Sequence, residues 1–223
     1  PDVIWIDDDV RMHSHPPVKF GCFCETCMKK FNVMNSCNFD REKLVSALLE
    51  DHYPERNALR ENWLEFNRRN MAEILTEIKD SVHKVDDAII LGFMTANYRW
   101  SLYSAPDLKR YGDILANKDG KVKYRPGEGF WDDGEPVAVV YKGIGLGQQV
   151  SISRREAEFL CEIEGMPYQT LVKTPAMTAF EIACHIGLGG VSGVTINLMD
   201  CMANDWREQA ACLEMLEEKR TYF

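Results

Sequence analysis

The residues best suited to chemistry fall in two acidic clusters far apart in the chain. Asp7, Asp8 and Asp9 close a short apolar run, Val3-Ile4-Trp5-Ile6, and Glu162 and Glu164 close a second run from Glu158 to Glu164. Two carboxyl groups can carry out hydrolysis when one keeps a proton at working pH and the other stays an anion. Three consecutive aspartates repel one another when ionised, which favours a proton on one of them, as a general acid requires. Side chains alternate along a strand, so Asp7 and Asp9 would share a direction with Asp8 opposed, and where the strand stops decides which of them points at the cleft. By the same rule Glu162 and Glu164 share a face opposite Phe159, Cys161 and Ile163. Plainer roles compete. The aspartates would also suit a solvated acidic loop or a cation site. The glutamates would also suit an ion pair with Arg125 or Lys173, since Glu is rarely buried without a partner or a task.

Polar and aromatic residues gather after other apolar runs: Asn97 with Tyr98 and Trp100; Arg125 with Glu128 and Trp131; Asn197 with Asp200. Arg11, His13 and His15 follow the aspartates and could orient them or contact a substrate. Trp131, Trp100 and Tyr98 offer flat faces that suit a pyranose ring, although a single aromatic more often packs in a core or at its rim.

Cys22, Cys24 and Cys27 form the most specific local pattern. A CxCxxC turn places three thiolates together, as a tetrahedral zinc ion would require, with a fourth ligand to come from Cys37, His13, His15 or elsewhere. A reduced, metal-free turn is the alternative. The remaining cysteines sit mostly in apolar segments, where a free Cys behaves as a small hydrophobe. That usage points to a reducing, cytoplasmic compartment and away from a disulfide scaffold.

Composition narrows the classes further. The chain has 223 residues, 45% hydrophobic and 27% charged, with a net charge of −9. It lacks the basic footprint that nucleic acid requires and any apolar run of the roughly 20 residues needed to span a membrane. Its periodicity predicts a strand at 2–7, a loop to Phe20, a Cys-rich turn at 21–27, a helix over 41–51 capped by Asp40 and a long helix over 55–84 with Leu59, Trp63, Phe66, Ile74, Ile78 and Val82 on its apolar face. Strands follow at 88–94, 121–125, 158–164 and 193–199. Helices are expected at 106–116, at 135–150, where Val137, Val140, Tyr141, Ile144 and Gln148 fit the period, at 175–188, and after Asn204 or Asp205, where Trp206, Ala210, Leu213 and Leu216 make one face. Such alternation means βα units and a parallel sheet. Gly143, Gly145 and Gly147 lack the spacing of a phosphate loop and read as small-residue helix packing. Because the polar residues follow several strands, a barrel, whose strand ends converge on one cleft, fits better than an open sheet.

These features resemble family 42 of the glycoside hydrolases, the β-galactosidase-like barrels. In that family a strand ends in Asn-Glu, the acid/base, and a loop leads to CxCxxC, which binds zinc in some members. Here Ile6-Asp7-Asp8-Asp9 leads to Cys22, Cys24 and Cys27, so Asp-Asp stands in place of Asn-Glu. The family's nucleophilic Glu ends the seventh strand; here Glu162-Ile163-Glu164 precedes Ala179-Phe180-Glu181 and the run to Asn197. The resemblance implies an α/β fold, strands four to eight of a (β/α)₈ TIM barrel. Residues 1–223 would then form a single barrel portion lacking the first three βα units, so that either three strands precede residue 1 or another chain covers the gap; a homo-oligomer is a separate expectation.

The function this implies is hydrolysis of O-glycosidic bonds by a retaining mechanism. Asp8 or Asp9 would be the acid/base and Glu162 or Glu164 the nucleophile. Asp7, Arg11, His13, Asn97, Arg125, Trp131 and Asn197 would line the sugar site, with no organic cofactor and a structural zinc at the cysteines. Two rivals stand beside it: a silent carbohydrate-binding or assembly domain, and a metal-dependent hydrolase built on the Asp7–Asp9 run.

Overall fold

Short apolar runs separated by amphipathic segments fold as parallel strands joined by helical crossovers. The computed structural model describes residues 1–12, 21–50, 54–96, 106–153, 156–164, 173–197 and 210–223. Its strands are β1 (Val3–Ile6), β2 (Ile90–Thr95), β3 (Lys123–Pro126), β4 (Glu158–Glu164) and β5 (Gly193–Asn197). All pair in parallel, in the order β1-β2-β3-β4-β5. The order never reverses, so these strands have no topological switch point of the doubly wound kind. They curl into a half-barrel.

Helices α1 (Glu25–Asn35), α2 (Arg41–Leu49) and α3 (Arg56–His83) lie between β1 and β2. They are followed by α4 (Leu108–Leu115), α5 (Pro136–Ile152), α6 (Pro175–Gly189) and α7 (Ala210–Lys219). Two expected caps form: Asp40 accepts from the Lys43 N–H at 2.8 Å, and the Thr174 hydroxyl accepts from Met177 at 3.2 Å, with Pro175 at the first helical position. Gly190 closes α6 in the left-handed conformation, φ 64°, which glycine adopts without a steric penalty.

The pleat divides the sheet into two faces. Ile6, Leu91, Phe93, Tyr124, Phe159 and Cys161 join one core beneath the helices. The opposite face carries Lys123, Arg125, Glu158, Glu162 and Glu164, all partly exposed. Gly92 is needed on that face: a Cβ there would lie 2.2 Å from the Trp5 ring on the neighbouring strand. A second core of Met28, Phe31, Leu44, Leu59, Trp63 and Phe66 lies among α1, α2 and the start of α3. Helix α3 therefore serves two cores, continuing into the first through Met71 and Leu75.

Several details differ from the sequence reading. The Cys turn runs straight into α1, whose buried Met28 and Phe31 were not expected to be helical. Ile74 faces outward, and Met71 and Leu75 take the inward positions. Helix α5 forms as expected but turns the other way. Val137, Tyr141 and Ile144 are exposed, while Val139, Lys142, Gly143, Leu146 and Gln149 face in. In α7 the buried residue is Cys212, and Leu213 is exposed. The glycines of α5 do pack helices: Cβ atoms on Gly143 and Gly147 would lie 3.0 and 2.8 Å from the carbonyl oxygens of Cys184 and Leu188 in α6. The proposed cap at Asn204 or Asp205, and Trp206, lie outside the described residues.

Candidate functional site

Alternation along β4 decides which side chains reach the concave face. Phe159, Cys161 and Ile163 are buried, and Glu158, Leu160, Glu162 and Glu164 are the intervening, partly exposed positions. The register sets Glu162 beside Thr195 and Glu164 beside Asn197. From β3, Arg125 reaches across, its Nη2 lying 2.7 Å from Glu162 Oε1. One turn of sheet therefore collects Arg125, Glu162, Glu164 and Asn197, four of the residues singled out from the sequence. The expected alternative partnership of the glutamates holds in half: Arg125 pairs with the Glu162 carboxylate, whereas Lys173 bonds the Glu164 backbone carbonyl, at 3.2 Å.

Burial pushes the Glu162 carboxyl above the usual range, and Arg125 opposes that shift. The negative charges of Glu164 and Asp8 push in the same direction as burial, and Lys142 opposes it. Among these influences that of Asp8 is the smallest.

The aspartates themselves are arranged differently from the pleat expectation. Strand β1 stops at Ile6, and residues 7–11 form turns, with Val10 N–H donating to Asp7 O at 3.1 Å and Arg11 N–H to Asp9 O at 3.0 Å. Asp7 is exposed, and its Oδ1 accepts from the Asp9 N–H at 2.9 Å. Arg11 pairs with two of the three: its guanidinium lies 2.7 Å from Asp8 Oδ2 and 2.9 Å from Asp9 Oδ1. Asp9 points to solvent, its side chain 79% exposed, while Asp8 is half-buried at 35%. Of the two candidates for the acid, Asp8 is the one turned toward the protein.

Trp131 packs against the cluster of Val139, Met177 and Cys184 between α5 and α6, and its indole N–H has no partner among the described residues. A core-rim role thus accounts for most of its ring. His13, His15, Asn97, Tyr98, Trp100 and Asp200 lie outside the described residues.

Behind β4 lies a set of charged groups that the sequence reading did not assemble. Glu181 of α6 is fully buried between two lysines. Lys142 of α5 donates to Glu181 Oε1 at 2.7 Å and to the Glu162 carbonyl at 2.9 Å. Lys173 bonds Glu181 Oε2 and the Glu164 carbonyl. His185, one turn beyond Glu181, is buried with its Nε2 3.6 Å from Glu181 Oε1. Its pKa is pushed down to about 2, chiefly by burial and further by Lys142 and Lys173, so it stays neutral. The only trace in the sequence is a Glu and a His four apart in an otherwise apolar helix, and a lone Lys among the apolar residues of α5.

Glu128, after β3, is also buried; Gln149 donates to its Oε1 at 2.7 Å. Gly145 makes room for it, since a Cβ there would lie 3.0 Å from the Glu128 carboxyl carbon.

The sulfur atoms of Cys22, Cys24 and Cys27 lie within 4.8 Å of one another, a group able to hold a metal ion. Tetrahedral ligands at 2.3 Å would place sulfurs about 3.8 Å apart, so little rearrangement is needed. Phe23 anchors the turn by stacking on Trp63, with ring centroids 4.4 Å apart and planes 4° from parallel. The Cys24 thiol is drawn down to about 7, first by the backbone N–H of Cys27 and then by the neighbouring thiols. Burial leads the rise of Cys27 to about 12. Cys37, a candidate fourth ligand, stands apart and donates to Asn32 Oδ1 at 3.3 Å.

Comparison of the chain with family models, curated proteins and solved structures gave no match. The geometry above therefore carries the functional reading. Among the described residues, no helix is long and apolar enough to cross a membrane.

Proposed function

We propose that the chain supplies strands four to eight of a glycosidase-like (β/α)₈ barrel and takes part in hydrolysis of O-glycosidic bonds with retention. The observation that supports this reading is geometric: Arg125, Glu162, Glu164 and Asn197 gather on one face of β3–β5, with Arg125 Nη2 2.7 Å from Glu162 Oε1. A two-carboxylate site needs a second group, and the half-buried Asp8 after β1 is proposed for it. Glu162 is the nucleophile: Arg125 pairs with its carboxylate and opposes the upward pull of burial. It attacks the anomeric carbon while Asp8 protonates the departing oxygen. Asp8 then takes a proton from the water that cleaves the glycosyl ester. Glu164 and Asn197 flank the sugar.

Full-length protein screened on aryl glycosides should release phenol. Glu162→Gln should abolish that release, and Asp8→Asn should cut it by about 100- to 10,000-fold. Because burial raises Glu162, the acid limb of the pH profile should lie above that of an ordinary exposed carboxylate. Equal turnover by wild type and both variants would remove these residues from the chemistry.

The ion pairs favour a second reading, a carbohydrate-binding domain without turnover. Arg125 and Arg11 already occupy oxygens of Glu162, Asp8 and Asp9. Sugar binding by calorimetry, with no product from any aryl glycoside, would select it. The same Arg11 contacts fill the positions that a cation on the aspartates would need, so the metal-dependent hydrolase gains nothing from the geometry.

For the cysteine turn the proposal is a structural zinc on Cys22, Cys24 and Cys27, with one ligand from elsewhere. Zinc should copurify with the full-length protein and be lost from Cys24→Ser, as read by elemental analysis.

A further inference from the structure

Strand β4 parts from β3 early, and the sequence says why. The two strands pair only at Lys123–Glu158 and Tyr124–Phe159. In this register the next rung would need an N–H from residue 126, which is Pro126, and proline has none. The direction of the unmade bonds follows from the strand's own pattern. Phe159 O accepts from Ser192 N at 2.8 Å and Cys161 O from the Thr195 hydroxyl, so odd-numbered carbonyls point toward β5. Glu158 N–H reaches Val122 O, so even-numbered backbone groups point toward β3. The carbonyls of Glu162 and Glu164 therefore project into the gap where the ladder has stopped.

Two lysines fill that gap. Lys142 donates to Glu162 O at 2.9 Å and Lys173 to Glu164 O at 3.2 Å. Both ammonium groups are tied to one carboxylate, Glu181, which is fully buried. The lysines come from different elements: Lys142 from the middle of α5, and Lys173 from the turn before α6. Burying three charges where apolar side chains would pack as well is a costly way to stabilise a fold, and it is best accounted for by a geometry only those charges can set.

We propose that Lys142, Lys173 and Glu181 are positioning residues: a buried Lys–Glu–Lys clamp that replaces the missing β3 rungs and fixes the height of Glu162 and Glu164 on the concave face. This rests on the proposed role of those glutamates, but the clamp itself is testable without it. Lys142 reaches the site through the strand backbone, so its loss should shift the Glu162 carboxylate away from Arg125 without touching either side chain.

The test uses full-length protein with three variants: Lys142→Met, Lys142→Arg and the combined Lys142→Met, Lys173→Met, Glu181→Leu. The combined variant leaves no unpaired buried charge and should fold. Crystal structures would read the Arg125–Glu162 contact, and aryl glycoside kinetics would read kcat and KM separately. In the combined variant the contact should open and the end of β4 should move. Where wild type is active, kcat should fall up to about 100-fold, as expected for a displacement near 1 Å, with KM little changed. Lys142→Arg should recover part of it. A folded combined variant that keeps the Arg125–Glu162 contact and the wild-type kcat would overturn the clamp. Absence of turnover from wild type with an opened contact in the variant would instead overturn the glycosidase reading alone.

Discussion

The two acidic ends of the proposed site are held in opposite ways. At the end of β4, Glu162 and Glu164 stand on a regular strand whose backbone is gripped from behind by buried charges. At the end of β1 the strand has already stopped, and one arginine on a turn gathers Asp8 and Asp9. A nucleophile must meet one carbon along one line, whereas an acid need only reach an oxygen with a proton. The difference in how they are held therefore matches the division of labour proposed for the two clusters.

That contrast can be broken from either side. The largest effect should come from Lys142→Met, which leaves buried Glu181 with Lys173 as its one remaining lysine and the Glu162 carbonyl without its lysine donor. Losing one partner of a buried pair costs about 3–5 kcal/mol, and urea unfolding should show it. His185 gives a smaller, pH-dependent effect from the same region. Its folded pKa is pushed down to about 2 from an ordinary 6.5. Below about pH 6.5 the unfolded chain takes up a proton that the folded chain refuses. The contribution of the neutral imidazole is thus complete above that pH and is lost as pH falls, by about 1.4 kcal/mol per pH unit. His185→Leu should remove that component of the slope between about pH 6.5 and 5.5. The smallest effect should follow Arg11→Met. Its partner Asp9 is largely exposed, so urea unfolding should show a stability change of only about 1 kcal/mol, despite a marked loss of any activity that depends on Asp8. A loss from Arg11→Met as large as that from Lys142→Met would dissolve the contrast.

The same contrast explains what was legible in the sequence. Strands read well where apolar residues had to alternate or run together, as in 158–164, and the parallel order followed from the alternation with helices. Helix α1 was missed because the cysteines drew attention to metal geometry, although Met28, Phe31 and Met34 already stepped at helical intervals. The face of α5 was misread because its inward side carries Lys142 and Gln149. Periodicity assigns polar residues outward, and nothing local reveals that Glu181, 39 positions later, supplies the partner. The direction of the aspartates stays open in the sequence for a different reason: pleat direction applies only while the strand lasts, and β1 ends at Ile6. Arg125 beside Glu162 was visible as an ion-pair alternative, but the resulting pair also serves the proposed chemistry.

The most direct measurement is covalent trapping. A retaining mechanism passes through a glycosyl ester on the nucleophile, and a fluorinated aryl glycoside that is turned over slowly would hold it there. Full-length protein so treated should carry the sugar on the tryptic peptide Glu156–Lys173, and fragmentation should place it on Glu162. Turnover accompanied by a label on a carboxylate outside β4, or by no covalent label at all, would contradict the account.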